Sequence, residues 1–331
     1  MNLSSVHSIH FIGIGGIGMS ALARYFHAAG KTVTGYDRTA TELTNNLAQE
    51  GMAIHYVDDP QAAPAQVDLV VYTPAIPKDH RELHHFRQAG TPVAKRSEVL
   101  GWVTREARTV AVAGTHGKTT TSSIIAHLLT HSNMGCTAFL GGIVLPYQTN
   151  LLLGSPEAPV VVEADEYDRS FLALHPDIAI ITSMDADHLD IYGAQGTMVD
   201  AFTEFAGQLK PGGQLILHHG LELANPIDRS IITYGLEGTA QISARNIRVE
   251  NGQFHFEVHF PDGVLDNLAI GLPGRHNIDN AVAAIAVARS LGLSDSAIRE
   301  ALATFEGVKR RFEFRIRKDD LVFIDDYAHH P

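Results

Sequence analysis

Residues 114–120, Gly-Thr-His-Gly-Lys-Thr-Thr, have the types and the order that bind a nucleotide phosphate. They follow an apolar run at 109–113 that predicts a buried strand, and they precede a run at 122–129 whose apolar spacing predicts a helix. In such a unit the backbone N–H groups at the helix N-terminus face the phosphates, while a lysine adds positive charge and a hydroxyl binds Mg²⁺. We therefore predict a nucleotide site around Lys118 and Thr119.

The phosphate-loop pattern is only partly met. Its strict form requires a glycine where this chain has Val112, and Gly114 lies closer to the helix. A glycine-rich turn before a helix is the alternative interpretation. That turn would explain the glycines but not a lysine beside three threonines, so the nucleotide interpretation is favoured.

Two later apolar runs end in acidic residues. The run 159–162 leads into Glu163-Ala164-Asp165-Glu166, and 177–182 leads into a segment at 185–190 that contains one histidine and three aspartates. A carboxylate at the end of a parallel strand, beside a phosphate loop, is the usual way to hold Mg²⁺. At 163–166 the alternative is a solvated acidic turn, and spacing alone does not decide between the two. Around His188 the alternative is a plain polar loop, which composition alone favours over a metal ligand.

The N-terminal region contains a second glycine turn, Gly-Ile-Gly-Gly-Ile-Gly at 13–18. A predicted strand at 8–12 precedes it, and a predicted helix at 19–29 and a strand at 31–37 follow it. Asp37 ends that strand, about 20 residues on, where a ribose-binding acid is expected. The pattern predicts a phosphate-bearing ligand without saying which one.

Strands and helices continue to alternate along the chain. Strands at 67–72 and from 92, with a helix at 81–90 between them, indicate a parallel sheet whose domain ends near 105–108. Further on, 254–260 alternates as a half-exposed antiparallel strand does. Helices are predicted at 274–290 and 294–305. A basic cluster at 307–312 suits a phosphate or a carboxylate, with a solvated turn as the alternative.

The bulk composition excludes several classes of protein. With 25 basic and 37 acidic residues the net charge is −12, which argues against a general nucleic-acid or anionic-membrane binder. No apolar segment is long enough to span a bilayer, and no basic residue precedes Arg24 as a signal peptide requires. Cys136 is the only cysteine, so no internal disulfide forms. We expect a cytoplasmic protein, a monomer or a weak dimer.

The order of these motifs closely resembles the Mur ligases of peptidoglycan synthesis, and the resemblance covers essentially the whole chain. It implies an α/β fold with a UDP-sugar-binding Rossmann-like domain at 1–107 and a central phosphate-loop ATPase domain with a small antiparallel sheet at 108–311. Residues 312–331 would begin a C-terminal amino-acid-binding domain that is nearly absent here. The motifs lie at 13–18, 114–120, 163–166, 187–190, 274–277, 309–313 and 325–331.

The resemblance also implies roles for individual residues. The diphosphate and sugar of the UDP-sugar would be held by Gly13, Gly15, Gly16, Gly18, Asp37 and Thr73. ATP would be held by Gly114, Thr115, His116, Gly117, Lys118, Thr119 and Thr120, and its adenine by His276, Asn277 and Asn280. Mg²⁺ would be bound by Thr119, Glu163 and His188. Lys118, Glu163, His188, Arg310 or Arg311, and His329 would be catalytic, with Asp326 helping His329 to present the amino acid.

The implied reaction is the ATP-dependent ligation of L-alanine to the carboxylate of UDP-N-acetylmuramate through an acyl phosphate. Several sister ligases carry a carbamylated lysine shortly after the His188 position; residues 193–208 contain no lysine, which agrees with the alanine-adding branch. The alternatives are the ligase that attaches a recycled tripeptide to the same sugar, a NAD-dependent oxidoreductase suggested by the first glycine turn, and a nucleotide sensor without catalysis.

Overall fold

The structure is a computed structural model that describes residues 3–185, 195–236, 238–318 and 320–326. It separates into two compact units, Met1–Glu106 and Ala107–Pro331. Each unit is built on its own sheet. The division into three domains at 107 and 311 stays a prediction.

The first unit is a doubly wound parallel sheet. Its strands lie in the order β3-β2-β1-β4-β5, and all of its neighbouring strands are parallel. The chain reverses its winding between β1 and β4, and the loops after these two strands therefore diverge and leave a crevice at the carboxyl edge. The elements are β1 (Ser8–Ile12), α1 (Ile17–Ala28), β2 (Thr32–Tyr36), α2 (Glu42–Gln49), β3 (Ala53–His55), β4 (Leu69–Tyr72), α3 (Arg81–Gln88), β5 (Val93–Lys95) and α4 (Arg96–Glu106).

The first glycine loop is pinned over the end of β2. The N–H groups of Gly13 and Ile14 both donate to the carbonyl of Tyr36, at 2.8 and 3.0 Å. The buried Ile14 side chain fits there because Gly35 has no side chain: a Cβ at that position would lie 2.6 Å from the Ile14 Cδ1. A glycine inside a strand thus marks a close approach of another segment.

The second unit is a mixed sheet in the order β15-β14-β13-β12-β11-β10-β6-β9-β7-β8. Strands from β13 to β7 in that order are parallel to their neighbours, while β8, β14 and β15 extend the sheet in antiparallel fashion. The elements are β6 (Thr109–Ala113), α5 (Lys118–His131), β7 (Thr137–Val144), β8 (Thr149–Leu152), β9 (Val160–Glu163), a 3-10 helix (Tyr167–Ala173), β10 (Ile178–Ile181), α6 (Gln195–Gly207), β11 (Gln214–His218), β12 (Ser230–Gly235), β13 (Ile242–Glu250), β14 (Gln253–Phe260), β15 (Gly263–Ile270), α7 (Arg275–Ser290), α8 (Asp295–Ala303), β16 (Glu313–Arg317) and β17 (Val322–Asp325).

Helix α5 is buried over most of its length, and α7 packs against it. Ala281, Ala283 and Ala284 of α7 are fully buried, and such small side chains let neighbouring elements approach the helix closely. This packing brings the N-terminus of α7 to the start of α5. The predicted α/β fold class, with parallel sheets and a small antiparallel extension, is confirmed. None of the helices in the described residues is long and apolar enough to cross a membrane.

Candidate active site

The loop between β6 and α5 leads into a helix N-terminus that presents backbone N–H groups. Gly117 caps α5 in a left-handed conformation, with φ of +81°, and no side chain caps the helix. The N–H groups of the first helical turn have no partner within the helix, so they are available to an anion. Gly117 is required sterically, because a Cβ there would lie 2.5 Å from the Asn280 Oδ1.

Residues after β10 hold this loop in shape. The Thr182 hydroxyl donates to the carbonyl of Ala113 at 3.1 Å and also to the carbonyl of His116. The Ser183 hydroxyl accepts from the His116 N–H at 2.7 Å and pairs with the Thr115 hydroxyl at 2.9 Å. These contacts fix the loop independently of any ligand. Neither Thr182 nor Ser183 is among the residues predicted from the sequence to act at this site.

Lys118 points back over the loop toward an acid. Its Nζ donates to the carbonyl of Gly114 at 2.6 Å and to Glu166, whose two carboxylate oxygens lie 2.8 and 2.7 Å away. The Glu166 side chain is 0% exposed and that of Lys118 is 14% exposed. Burial raises the pKa of the Glu166 carboxyl, and the Lys118 ammonium opposes that rise. The interpretation of 163–166 as a solvated acidic turn is therefore wrong.

Thr119 and Glu163 form a pair of oxygen donors beside the lysine. The Thr119 hydroxyl donates to Glu163 Oε1 at 2.8 Å, and the Gly141 N–H donates to Glu163 Oε2 at 2.9 Å. Burial raises the pKa of the Glu163 carboxyl, and the positive charges of Lys118 and Arg311 act against it. Hydroxyl and carboxylate oxygens are the ligands that Mg²⁺ prefers, so this donor set fits the predicted metal.

The basic cluster at 307–312 separates into two different arginines. The Arg311 guanidinium donates to the Thr119 hydroxyl at 3.0 Å and so belongs to the phosphate-loop cluster. Arg310 is 67% exposed, and its Nε lies 4.0 Å from Asp325 on β17. The backbone turns sharply here, with φ of +59° at Arg310 and +51° at Phe312, so adjacent side chains diverge. The structure brings Arg311, and not Arg310, to the loop.

The side chains of the asparagines at the start of α7 are hydrogen-bonded to other groups of the protein. Asn280 Oδ1 accepts from the Thr121 hydroxyl on α5 at 3.2 Å, and its Nδ2 donates to Asn277 Oδ1 at 3.2 Å. Asn277 Nδ2 in turn donates to the carbonyl of Pro273 at 2.6 Å. Asn280 thus joins α7 to the phosphate-loop helix and Asn277 supports Asn280, while His276 is exposed. Binding of adenine by these residues stays a prediction.

Two predicted catalytic residues, His188 and His329, lie outside the described residues. Asp326, the proposed helper of His329, is described: its Oδ1 accepts from the Phe312 N–H at 2.9 Å. It therefore helps to shape the turn that carries Arg311. Thr120, also predicted at the ATP site, is buried in the first turn of α5.

The first unit has a cavity of about 640 Å³ at the carboxyl edge of its sheet. Of the six residues predicted to hold a UDP-sugar, Gly13, Gly16, Asp37 and Thr73 line it. The Gly15 N–H donates to Asp37 Oδ2 at 2.7 Å and ties the loop to the end of β2. A Cβ on Gly18 would lie 3.1 Å from Nη1 of Arg96, so this glycine makes room for an arginine.

The residues that line the other wall of this cavity were not predicted from the sequence. Asp58 and His80 line it, and Asp58 accepts from the N–H of Glu82 and of Arg81, both at 3.0 Å. Glu82 is fully buried and is held by His10 at 3.2 Å and His55 at 2.8 Å. These polar residues come from β1, from the β3 region and from the start of α3. No local pattern links positions so far apart.

Taken together, the free N–H groups at the start of α5, the lysine, the hydroxyl and the two glutamates define a phosphate-loop nucleotide-binding protein of the α/β class. Models of two protein families match the chain. Residues 8–108 match the "Mur ligase family, catalytic domain" and residues 112–288 match the "Mur ligase middle domain". The chain belongs to the Mur ligase family, as its motifs predict.

Individual members of the family show which of its proteins this chain is similar to. The chain is 51% identical over 335 residues to the UDP-N-acetylmuramate–L-alanine ligase of Flavobacterium psychrophilum, covering 100% of this chain and 73% of the relative. The crystal structure of the UDP-N-acetylmuramate–alanine ligase of Thermotoga maritima is 32% identical with a TM-score of 0.85, covering 98% of this chain and 74% of that one. The UDP-N-acetylmuramate:L-alanyl-γ-D-glutamyl-meso-diaminopimelate ligase of Neisseria meningitides is 26% identical with a TM-score of 0.83, covering 92% and 100%.

Proposed function

We propose that this chain joins L-alanine to the carboxylate of UDP-N-acetylmuramate at the expense of ATP, as a step of peptidoglycan synthesis. Mur ligase family enzymes use ATP, and the 51% identical relative carries the name of this activity. The observation that carries the proposal is the grouping of Lys118, Thr119, Glu163 and Arg311 beside one phosphate loop. Such a group suits the transfer of a phosphoryl group.

The cavity of the first unit suits the sugar nucleotide. Gly13 and Gly16 line it without side chains, which leaves room for a diphosphate to approach closely, and Asp37 and Thr73 supply polar groups beside them. The cavity lies at the reversal of strand order, which is where open α/β sheets bind nucleotides. The same geometry would admit a dinucleotide, so the proposal here rests on the family.

The proposed chemistry has two steps. The muramyl carboxylate attacks the γ-phosphorus of ATP and releases ADP, which leaves an acyl phosphate; the amine of L-alanine then attacks the acyl carbon, and phosphate leaves. Both first reactants are anions, so fixed positive charge lowers the barrier. Lys118 and Arg311 supply that charge, and the N–H groups of the first turn of α5 orient the phosphates.

Mg²⁺, when bound by Thr119 and Glu163, would neutralise further charge on the phosphates. Glu163 is already fixed for this by the Gly141 N–H, and a Cβ on Gly141 would collide with its carboxylate. The same hydrogen bond keeps the carboxylate beside the Thr119 hydroxyl. The role of His188 as a further ligand stays a prediction.

A direct test measures phosphate release by the chain with ATP–Mg²⁺, UDP-N-acetylmuramate and L-alanine, omitting each in turn. We expect release only when all three are present. Replacing L-alanine by the tripeptide L-alanyl-γ-D-glutamyl-meso-diaminopimelate tests the recycling alternative, and a binding titration with NADH tests the oxidoreductase. Preferential use of the tripeptide, or binding of NADH in place of UDP-N-acetylmuramate, would contradict the proposal.

A further inference from the structure

Lys118 has three N–H donors, and the described residues accept hydrogen bonds from two of them. One goes to Glu166 Oε1 at 2.8 Å and one to the carbonyl of Gly114 at 2.6 Å, while Glu166 Oε2 lies 2.7 Å from the same Nζ as an ion-pair contact. One N–H is therefore left for an arriving phosphate. Whether Lys118 keeps its bond to Glu166 when the phosphate arrives decides what Glu166 does.

The two partners of Lys118 differ in how easily they can be given up. Glu166 is fully buried, and it precedes the 3-10 helix Tyr167–Ala173. Withdrawing the ammonium from it would leave an uncompensated buried charge, which is among the most costly changes in a protein interior. The Gly114 carbonyl is a neutral group of the phosphate loop itself. An arriving phosphate can therefore use the remaining N–H of Lys118 or displace the Gly114 carbonyl, and in either case it leaves Glu166 in place.

We propose that Glu166 is a positioning residue that holds Lys118 at the phosphate loop both before and after the nucleotide binds. The inference rests on the proposed function and extends it to a residue that acts through Lys118. Glu163, three positions earlier, faces Thr119 and Gly141 instead, so the two glutamates of this motif have separate tasks.

This arrangement has opposite consequences for binding and for turnover. A carboxylate next to the lysine partly cancels its attraction for ATP, so Glu166 weakens the binding of ATP. The same carboxylate fixes the ammonium where charge develops during phosphoryl transfer, so Glu166 raises the rate. Removing its charge should therefore lower both the KM for ATP and kcat, a combination that marks a change in positioning.

The test compares Glu166→Gln with Glu157→Gln, which removes the same charge from an exposed turn before β9. Equilibrium binding of ATP–Mg²⁺ and of AMP is measured on the full chain by calorimetry, together with turnover. We expect Glu166→Gln to bind ATP several-fold tighter, to bind AMP as the wild type does, and to turn over roughly tenfold more slowly. AMP lacks the phosphates that Lys118 would contact. Glu157→Gln should match the wild type in all three measurements.

Two outcomes would overturn the proposal: equal loss of affinity for ATP and AMP, or tighter ATP binding with unchanged turnover. If Glu166→Gln does not fold, Glu166→Asp keeps the charge but withdraws the carboxylate by one methylene group. That variant should keep the wild-type affinity for ATP and lose turnover, and wild-type turnover would overturn the proposal. A wild type that binds ATP but does not ligate alanine would contradict the proposed function alone, since the contrast between ATP and AMP needs no ligation.

Discussion

The two glycine loops of this chain have similar backbones but differ in the charged side chains that contact them. Both follow a central parallel strand, and both begin a helix whose N-cap is a glycine without a side-chain cap, Gly16 in one and Gly117 in the other. In the first loop an N–H donates to the carboxylate of Asp37 at 2.7 Å. In the second, Lys118 and the Arg311 guanidinium lie beside the loop.

The difference shows that a glycine loop does not by itself select its ligand. The first loop gives one of its N–H donors to an acid of its own sheet, and the cavity beside it is lined by charged residues of both signs, among them Asp58 and Arg38. The second keeps its first-turn donors and adds cations, as a triphosphate requires. The two loops have similar backbones, so the charged side chains next to them are what distinguishes the first site from the phosphate loop.

The strongest test of this comparison is Lys118→Ala. We expect ligation to fall by about 10³-fold or more, because a preorganised charge at the transferring phosphoryl group is lost. Binding of UDP-N-acetylmuramate, measured by calorimetry, should stay at the wild-type value. Wild-type turnover in this variant would refute the role of the lysine, and loss of sugar-nucleotide binding would show that the two loops are not independent.

A pair of variants tests which of the two adjacent arginines, Arg310 or Arg311, acts at the phosphate loop. Arg311→Ala should reduce turnover by roughly 10²-fold, since its guanidinium contacts the Thr119 hydroxyl. Arg310→Ala should change turnover by no more than about threefold, because that side chain is largely exposed beside Asp325. Steady-state kinetics on both variants measures the contrast. A larger loss in Arg310→Ala would reverse the assignment.

Replacing the two N-cap glycines tests the backbone side of the comparison. Gly117→Ala should destabilise its unit by about 1–3 kcal/mol, because φ is +81° and the new Cβ would meet Asn280. Gly16→Ala should change the free energy of unfolding by less than about 1 kcal/mol, since φ is −65° and the nearest atom lies 3.6 Å away. Urea denaturation of each variant measures the change in the free energy of unfolding. Equal losses would contradict this difference.

The smallest expected effect concerns two histidines with opposite pKa shifts. Burial lowers the pKa of His10 in the first unit below the usual 6.5, so its contribution to stability is present above pH 6.5 and is lost as the pH falls. The hydrogen bond to Asp279, 2.7 Å long, raises the pKa of His218 in the second unit. Its contribution is present below pH 6.5 and is lost as the pH rises through the raised value.

Urea denaturation between pH 5 and 8 measures both slopes, with His10→Gln and His218→Gln as the variants that should flatten one slope each. The effect at His218 should be at most about 1 kcal/mol, because the pair is partly exposed. Slopes of the same sign in both units would show that burial does not dominate at His10.

Local sequence determined the parts of this protein that depend on neighbours along the chain. The glycines at 13–18 and 114–117, the lysine at the start of α5 and the alternation at 254–260 each predict an element that the structure contains. Both glycine loops follow from spacing because a helix N-terminus is built from consecutive residues. The short strand β3 carries no such pattern, and neither it nor Asp58 was predicted.

Only the tertiary structure decided which side chains share the phosphate loop. Thr119 and Arg311 are 192 positions apart and meet at 3.0 Å, and nothing in their local sequences distinguishes Arg311 from Arg310. Glu163 and Glu166 belong to one motif, yet one turns to Thr119 and the other to Lys118. The reason is physical: the order of strands and the packing of α7 on α5 set these distances, and both arise from burial summed over the whole unit.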